Sequence, residues 1–376
     1  MAAGWLTHTD IHSDTWNYHR EGLAEYHLLF TNPKEYFTNL FYTGYSYGYD
    51  GMLKVQNSYW NDLKTNLIIK LISVFHVFSG GNYYVNVIFY NFIIFFGHIG
   101  LYRVFKEVYQ SKKMVTVAVV FLLPSVLFFG STIHKDGLVL ALIGVLLFNV
   151  WQVLQANALS FKRVLFILFS LLLIFLFRNF VLMALLPAIA AWVIAQKKKC
   201  SPIKTFVAVY AITVVLFFTI QYLLPSLNLQ RYMVERQADF LGLQKGNTTI
   251  QLDTLQANPV SFIRAAPQAF QHSLLRPFVT DSKLSKLLLP LSFELLFYEI
   301  LLLLFLFFKR KDFSFNHPFV LFSLFFGLSL CLVIGYTVPV IGAIVRYRAI
   351  CLPFILAPFI LNINWGKLLN HLKIKK

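Results

Sequence analysis

The chain has 376 residues, of which 58% are hydrophobic and 13% are charged, whereas soluble domains average about 25% charged residues. This composition excludes a soluble protein and predicts an integral membrane protein. The formal net charge of +17 would suggest nucleic-acid binding in a soluble chain. Lys and Arg accumulate in the cytoplasmic loops of membrane proteins, however, and no nucleic-acid partner is predicted.

Apolar runs long enough to cross the hydrocarbon layer, about 20 residues each, recur along the chain. They predict an all-α fold, a polytopic bundle of transmembrane helices. The nine predicted spans cover residues 83–102, 114–130, 137–156, 163–177, 179–196, 204–224, 288–308, 316–336 and 347–363. One helix over residues 163–196 would be about 50 Å long at about 1.5 Å per residue, which is too long for one span. A tight hairpin with Arg178 at its tip is therefore expected.

The loops between the predicted spans differ in charge. Lys and Arg concentrate on one side, for example in residues 197–204 and 309–311, and the positive-inside rule makes that side cytoplasmic. The expected order is an extracytoplasmic segment, six spans, a second extracytoplasmic segment, and three spans with a basic cytoplasmic tail, over residues 1–82, 83–224, 225–287 and 288–376. Short loops are typical of a bacterial cytoplasmic (inner) membrane protein. Because the first outer segment has no signal peptide, either an additional upstream helix precedes it or the segment crosses the membrane unaided, and the upstream helix is favoured.

The first outer segment opens with alternating His and Asp side chains in "HTDIHSD", residues 8–14. In an extended chain these side chains point to one side. There Asp10, His12 and Asp14 could bind a divalent metal, or Asp10 and Asp14 could supply a general base. A solvated polar tail is the alternative. A divalent metal at this place is the only cofactor that the sequence indicates.

The same segment continues with a stretch rich in Tyr, Gly, Trp and Asn, residues 41–66. Aromatic faces and amide groups bind sugar rings and hydroxyls, but they also form the aromatic belts of membrane interfaces. Residues 63–79 have apolar side chains at helical spacing and predict an amphipathic helix on the membrane surface. The candidate contacts to a sugar or an acceptor are Tyr49, Asp50, Trp60 and Asn61.

Two predicted spans are separated by "HKDG", which contains His134, Lys135 and Asp136. A cationic pair beside a helix N-terminus is suited to bind an anion, because free backbone N–H groups add to the charge. Lys135 would also hold a lipid phosphate at a membrane surface, and Asp136 would cap the following helix. Arg178, between two apolar runs, either reaches an anion or extends to water.

The second outer segment has a helical apolar stripe over residues 258–278, which predicts an amphipathic helix on the outer leaflet or a cap over the bundle. The last span opens with "RYR", and this motif places Arg346 and Arg348 on the outer side, where basic residues are sparse. Guanidinium groups bind phosphates through several donors at fixed geometry. These two residues are therefore candidates for binding a phosphate.

A polytopic chain with an acidic first outer loop, an amphipathic helix in that loop, a basic outer turn and a late "RYR" resembles the GT-C class of membrane glycosyltransferases. It is particularly similar to bacterial members of the dolichyl-phosphate-mannose–protein mannosyltransferase-like group. The resemblance implies a polyprenyl-linked sugar donor, surrounding membrane lipid, and a glycan, lipid or protein acceptor. It also implies a catalytic acid in the first outer loop, which Asp14 in "SDTWNYH" matches best and Asp10 second. The basic candidates for holding the donor phosphate are Arg346, Arg348, Lys135, His134 and Arg178.

Two other functions fit the same sequence. A polysaccharide polymerase or O-antigen-ligase-like enzyme also acts on lipid-linked sugars outside the membrane, and such enzymes have a large late outer loop, as residues 225–287 form here. A transporter or lipid flippase would instead place Glu299, Arg178 and Lys135 along a translocation path, and transporters often show internal repeats. The sequence shows no repeat and its polar residues cluster on one face, which favours an enzyme.

Overall fold

A computed structural model describes residues 13–42, 59–156, 159–198, 201–242, 246–283, 285–286 and 288–374. The regular elements in these ranges are helices, which confirms the predicted all-α fold. In chain order they are α1 (Asp14–Thr31), α2 (Pro33–Thr38), α3 (Tyr59–Ser79), α4 (Tyr83–Tyr109), α5 (Lys113–Phe121), α6 (Pro124–Gly130), α7 (Lys135–Ala156), α8 (Phe161–Lys198), α9 (Pro202–Leu223), α10 (Leu229–Gly242), α11 (Pro259–Phe270), α12 (Leu288–Phe308), α13 (Pro318–Thr337), α14 (Ile341–Arg348), α15 (Leu352–Ile360) and α16 (Trp365–Ile374). Short 3-10 or π turns lie at Asn39–Phe41, Gln271–Leu275 and Val279–Lys283.

Six of these helices are long and apolar enough to cross a membrane, namely α4, α7, α8, α9, α12 and α13. Two helix pairs pass the same test but are bent, α5–α6 by 49° and α14–α15 by 61°. The described residues therefore hold six candidate spans, or up to eight if each bent pair counts as one. The predicted membrane bundle is confirmed at this level, and the finer count of nine spans with two outer segments stays a prediction.

The bend between α5 and α6 follows from Pro124 at the start of α6. Leu123 before it is extended (φ −64°, ψ 123°), because a proline disfavours the helical conformation in the preceding residue. The bend exposes the first N–H groups of α6, and Ser125 donates its backbone N–H and its hydroxyl to the Glu294 carboxylate at 2.9 and 2.5 Å. Tyr298 donates to the same carboxylate. Glu294 is thus buried with its oxygens satisfied.

The helix α8 changes direction at Arg178, whose backbone is non-helical (φ −148°, ψ 74°). Arg163 in its first arm donates to the Gln152 carbonyl at 3.2 Å, and Trp192 in its second arm stacks on Trp151 with ring centroids 6.3 Å apart. In a straight helix residues 163 and 192 would be about 44 Å apart, yet both contact the same end of α7. The chain therefore folds back at Arg178, as the length of the apolar run predicts.

The helices α4 and α7 approach closely through small residues. A Cβ added to Gly97 would lie 2.3 Å from the Ala141 Cα, and one added to Gly144 would lie 2.0 Å from the Gly97 carbonyl oxygen. Small residues at such contacts allow two helix backbones to pack in a membrane. The close approach fixes the start of α7 against α4, where the Tyr90 hydroxyl donates to the His134 carbonyl.

The helix α1 docks on the N-terminal end of α4. Thr15 and Tyr83 share a hydrogen bond of 2.9 Å between their hydroxyls, and Trp16 stacks on the Tyr83 ring with centroids 4.1 Å apart. Aromatic pairs of this kind stabilise a contact beyond the apolar area that they bury. The docking holds Asp14, the first residue of α1, close to the start of α7.

The two predicted amphipathic segments contain helices. Residues 63–79 fall in α3, which is not among the candidate spans, and residues 258–278 begin with α11. In α11, Phe262 and Ala269 are buried whereas Ile263 is exposed. An apolar side chain on the exposed face of α11 suits a helix that lies at a membrane surface.

Candidate functional site

At one end of the bundle, ionisable side chains from α1, α7, α8 and α14 meet around Asp136. Its carboxylate is 2% exposed; Oδ1 accepts from Arg178 Nε at 2.8 Å and Oδ2 accepts from Arg178 Nη2 at 3.1 Å. His134 Nδ1 lies 2.9 Å from Oδ2. A buried carboxylate requires such partners, and its place in the first turn of α7 adds a favourable helix dipole. Asp136 therefore binds side chains, a role different from the helix cap that the sequence also allowed.

His134 directly precedes α7 and lies between two carboxylates. Nε2 is 3.4 Å from Asp14 Oδ2 and 3.3 Å from Arg346 Nη1, while Nδ1 faces Asp136. In a neutral ring, donation from Nδ1 to Asp136 leaves Nε2 as an acceptor; in a protonated ring, Nε2 donates to Asp14. The two carboxylates therefore hold the His134 ring from both of its nitrogens.

Asp14 is the accessible carboxylate of this group, with 60% of its side chain exposed. The hydrogen bond from His134, with the charges of His134 and Arg346, lowers the pKa of Asp14 to about 2, although burial acts in the opposite direction. Its position at the N-terminus of α1 also favours the charged form. Asp14 is thus ionised at neutral pH and is the carboxylate that a substrate entering from solvent meets first.

Arg346 connects the exposed and the buried carboxylates, and Arg178 contacts the buried one. Arg346, near the end of α14, lies 3.3 Å from Asp14 through Nη1 and 3.6 Å from Asp136 through Nε. Arg178, at the break in α8, places its guanidinium over the Tyr347 ring at 4.6 Å from the centroid. The Arg346 side chain is partly exposed, so it can offer donors to an anion. The five residues that these contacts link, hereafter the Asp136 cluster, are Asp14, His134, Asp136, Arg178 and Arg346.

Lys135 lies beside the Asp136 cluster and points to α1 and α3. Its Nζ is 3.3 Å from Thr65 Oγ1 and 5.4 Å from the centroid of the Tyr18 ring. The side chain is buried, and no carboxylate pairs with it among the described residues. The predicted "HKDG" turn therefore places its histidine and its lysine in adjacent but different surroundings.

Arg348 does not join the Asp136 cluster. Its buried Nη1 donates to three backbone carbonyls, those of Ser273 at 2.9 Å, Leu274 at 3.1 Å and Arg276 at 2.8 Å. Residues two apart on a helix point to different faces, which explains why Arg346 and Arg348 have different surroundings despite their shared motif. Arg348 therefore holds residues 273–276 against α14.

The other predicted site residues are described only in part. Trp60 packs edge-on against Phe175 with centroids 5.5 Å apart, and Asn61 accepts a hydrogen bond from Lys64 within α3. No group of three or more His, Cys, Asp and Glu that could hold a metal occurs in the part of the chain that the structure describes. The metal stays a prediction, because Asp10 and His12 lie outside the described ranges. The candidate sugar contacts Tyr49 and Asp50 lie outside them as well.

Sequence reasoning named Asp136 only as a helix cap, and it did not relate the cations Lys64 and Arg236 to the cluster. An Asp at a helix start is equally typical of a cap, so its sequence position carries no signal for ion pairing. Lys64 and Arg236 stand in polar stretches among other charges. The break in α8 relates these residues to one another, because it brings Arg178 close to Asp136 and also to the cations Lys64 and Arg236.

No protein-family model, no curated protein and no solved structure matches the chain. Its function is therefore inferred from the geometry of the site.

Proposed function

We propose that the chain is a membrane glycosyltransferase, which transfers a sugar from a polyprenyl-phosphate-linked donor to an acceptor at the extracytoplasmic face. The observation that supports it most is the contact of 3.3 Å between Arg346 and Asp14. This contact pairs a phosphate-binding group with an accessible carboxylate at the end of an apolar helix bundle. A lipid-linked sugar phosphate has matching parts: an anion, a neighbouring anomeric carbon and a tail that stays in the membrane.

The proposal includes an orientation. If each arm of α8 and each bent pair crosses the membrane once, the bundle has nine crossings and the Asp136 cluster lies at their outer ends. The opposite ends carry the basic segments, and two of these meet where Arg310 donates to the Tyr109 carbonyl at 3.2 Å. The positive-inside rule makes that end cytoplasmic. The proposed location is a bacterial inner membrane with the site facing outward.

Donor binding is proposed to activate the base. In the free protein, the pKa of Asp14 is about 2, and a carboxylate with so low a pKa is a weak base. A donor phosphate that binds Arg346 removes the positive charge that faces Asp14 and adds negative charge beside it. Both changes raise the pKa of Asp14 toward the working pH. Asp14 would thus be a stronger base with the donor bound than in the free protein.

The transfer step then uses every member of the Asp136 cluster. The acceptor hydroxyl attacks the anomeric carbon, its new C–O bond forms, and the C–O bond to phosphate breaks with its electron pair on the leaving oxygen. The hydroxyl proton passes to Asp14, which the contact of 3.4 Å with His134 Nε2 holds in position. Arg346 stabilises the charge that develops on the leaving phosphate. Asp136 and Arg178 hold the imidazole and the end of α8 in position.

The distribution of charge favours an enzyme over a transporter. The turns of α7 that follow the cluster are buried and apolar, at Leu140, Ile143 and Leu147, whereas a translocation path needs polar groups along the bundle. Glu299 lies on the exposed face of α12. A polymerase or ligase-like enzyme would use the same donor chemistry and would differ in its acceptor.

The test is a transfer assay on the full chain in lipid vesicles, with radiolabelled sugars on polyprenyl phosphate and polyprenyl diphosphate. The wild-type protein is expected to release sugar from one of these carriers. Arg346→Ala is expected to slow release by about 10²- to 10³-fold, as removal of one charge-stabilising donor does. The matched control is Arg231→Ala, a largely exposed arginine of α10, which should keep the wild-type rate. Wild-type protein that releases sugar from neither carrier would contradict the proposal.

A further inference from the structure

Three cations lie next to the Asp136 cluster and are not used in the proposed transfer step: Lys64 of α3, Lys135 of α7 and Arg236 of α10. Among the residues that the structure describes, none of the three forms an ion pair with a carboxylate. Buried charges without counter-ions are costly, so their accumulation in one place requires an explanation.

Arg236 is the most deeply buried of the three, at 7% exposure. Its guanidinium lies over the Phe180 ring at 4.2 Å from the centroid, and Nη1 donates to the Tyr232 hydroxyl at 3.3 Å. Tyr232 donates in turn to Asn179 Oδ1 at 3.2 Å, which connects Arg236 to the break in α8. Arg236 Nε is buried and has no hydrogen-bond partner. This buried Nε–H therefore lacks the acceptor that a buried donor requires.

The two lysines lie close to each other, on α3 and α7. Lys135 Nζ lies 3.3 Å from the hydroxyl of Thr65, the residue that follows Lys64, and Lys64 Nζ donates to Asn61. Burial, followed by the charges of Lys135, Arg178 and Arg236, lowers the pKa of Lys64 to about 7. Three further helices thus present positive charge to Lys64, and the charges reinforce one another toward an anion.

We infer that Lys64, Lys135 and Arg236 form a second anion-binding subsite that takes a phosphate group next to the one bound by Arg346. The inference rests on the proposed function, because it assigns both phosphates to one donor. With one phosphate on Arg346 and the next on this subsite, the donor carrier is a polyprenyl diphosphate. A phospholipid headgroup offers the same phosphate chemistry, so the test separates the two sources.

The experiment measures binding of sugar-free carriers to the full chain in phosphatidylcholine nanodiscs, by displacement of radiolabelled polyprenyl diphosphate. The competitors are polyprenyl diphosphate, polyprenyl monophosphate and phosphatidylglycerol. We expect wild-type protein to bind the diphosphate at least about tenfold tighter than the monophosphate, which corresponds to about 1.4 kcal/mol. Arg236→Gln and Lys64→Gln should each remove this preference and leave the monophosphate affinity unchanged. Lys64→Arg should keep the preference, and Arg231→Gln is the exposed control.

Equal affinity of wild-type protein for the diphosphate and the monophosphate would overturn the subsite. Variants of Arg236 or Lys64 that lose affinity for both carriers to the same degree would overturn it as well. Displacement by phosphatidylglycerol as effective as by the diphosphate would assign the subsite to a lipid headgroup and overturn the donor assignment. Arg346→Gln separates the two proposals, because it should lower the affinity for both carriers. If Arg346→Gln changes neither while Arg236→Gln abolishes the diphosphate preference, the proposed function fails and the phosphate subsite stands.

Discussion

Arg346 Nη1 and Asp14 Oδ2 lie 3.3 Å apart although 332 positions separate the two residues in the chain. The contact joins the first described helix to α14 across the start of α7. Ion pairs between partly exposed groups contribute little to stability, typically about 0–1 kcal/mol. The consequence of this pair is therefore chemical, because it lowers the pKa of Asp14 and occupies Arg346 until an anion replaces the carboxylate.

Replacement of Asp14 tests its role as the base. Asp14→Asn keeps the size of the side chain but cannot accept the proton of an acceptor hydroxyl. We expect kcat for sugar transfer to fall by about 10²- to 10⁴-fold, the usual contribution of a general base. The KM for the donor should stay equal or fall, because Arg346 loses its competing carboxylate. Initial rates over a range of donor concentrations measure both constants.

The chain provides a closely matched control for that variant. Asp312 pairs with Arg310, and its side chain is 65% exposed, against 60% for Asp14. It lies at the opposite end of the bundle, outside the Asp136 cluster. Asp312→Asn should leave kcat and KM at wild-type values, and an equal loss in both variants would show that Asp14 has no special role.

The two arginines of "RYR" should respond differently to replacement. Arg346→Gln removes a hydrogen bond to a charged group, about 1.5–3 kcal/mol, and should raise the donor KM by tenfold or more without a comparable loss of stability. Arg348→Gln leaves carbonyls of the Gln271–Leu275 turn without a donor and should lower the unfolding temperature while the folded fraction keeps its donor KM. Thermal unfolding and donor titration on both variants check this. A higher KM with unchanged stability in Arg348→Gln would contradict the assignment.

Asp136 should be essential for stability as well as for the site. Asp136→Asn leaves the largely buried Arg178 without its counter-ion, and breaking such a pair typically costs about 3–5 kcal/mol. The double variant Asp136→Asn/Arg178→Gln should be more stable than Asp136→Asn alone, because the unpaired charge is gone. Denaturant unfolding in mixed micelles measures the free energies. Losses that simply add in the double variant would show that the two residues do not interact.

The phosphate subsite should depend on pH. The pKa of Lys64 is about 7, below the ordinary lysine value, through its burial and the charges of Lys135, Arg178 and Arg236. The protonated form binds an anion better, so the diphosphate affinity should be high below about pH 7 and fall as Lys64 loses its proton above it. Lys64→Arg stays charged and should remove this part of the pH dependence. The comparison between the two proteins cancels the titration of the ligand, and identical pH profiles would contradict the prediction.

Protonation of Lys64 favours anion binding but lowers the stability of the fold. A lysine with a lowered pKa in the folded protein binds its proton more weakly there than in the unfolded chain. Its contribution therefore makes the protein less stable as the pH falls from the ordinary lysine range toward 7. Anion binding and folding thus respond to Lys64 in opposite directions, and the two measurements can be compared in one buffer series.

The sequence predicts those parts of the structure that depend on local properties. Apolar runs specify helices because length and hydropathy are local, and the reversal at Arg178 follows because a single helix over 163–196 is too long for one span. The convergence of Asp14, His134 and Arg346 is consistent with an orientation that places all three on one side. For the helices and the reversal, a short-range pattern carries the information.

The remaining features depend on contacts between distant segments. Arg178 and Asp136 are 42 residues apart, and nothing in either stretch identifies the other as its partner. Arg348 resembles Arg346 in sequence, and only the helix phase and the position of Ser273 separate their surroundings. Arg236 is one charge among several in its segment, and its burial against Phe180 follows from how α10 packs on α8.

The most direct measurement of the central claim is a double-mutant cycle on sugar transfer. Wild-type protein, Asp14→Asn, Arg346→Gln and the double variant are compared in the same vesicles with the labelled polyprenyl-linked donor. Residues that act as a unit on one bound substrate show strongly non-additive losses. We predict that each single variant loses most of the transfer rate and that the double variant loses little more. Wild-type protein without transfer, or losses that multiply in the double variant, would contradict the claim that Arg346 and Asp14 act together on a sugar phosphate.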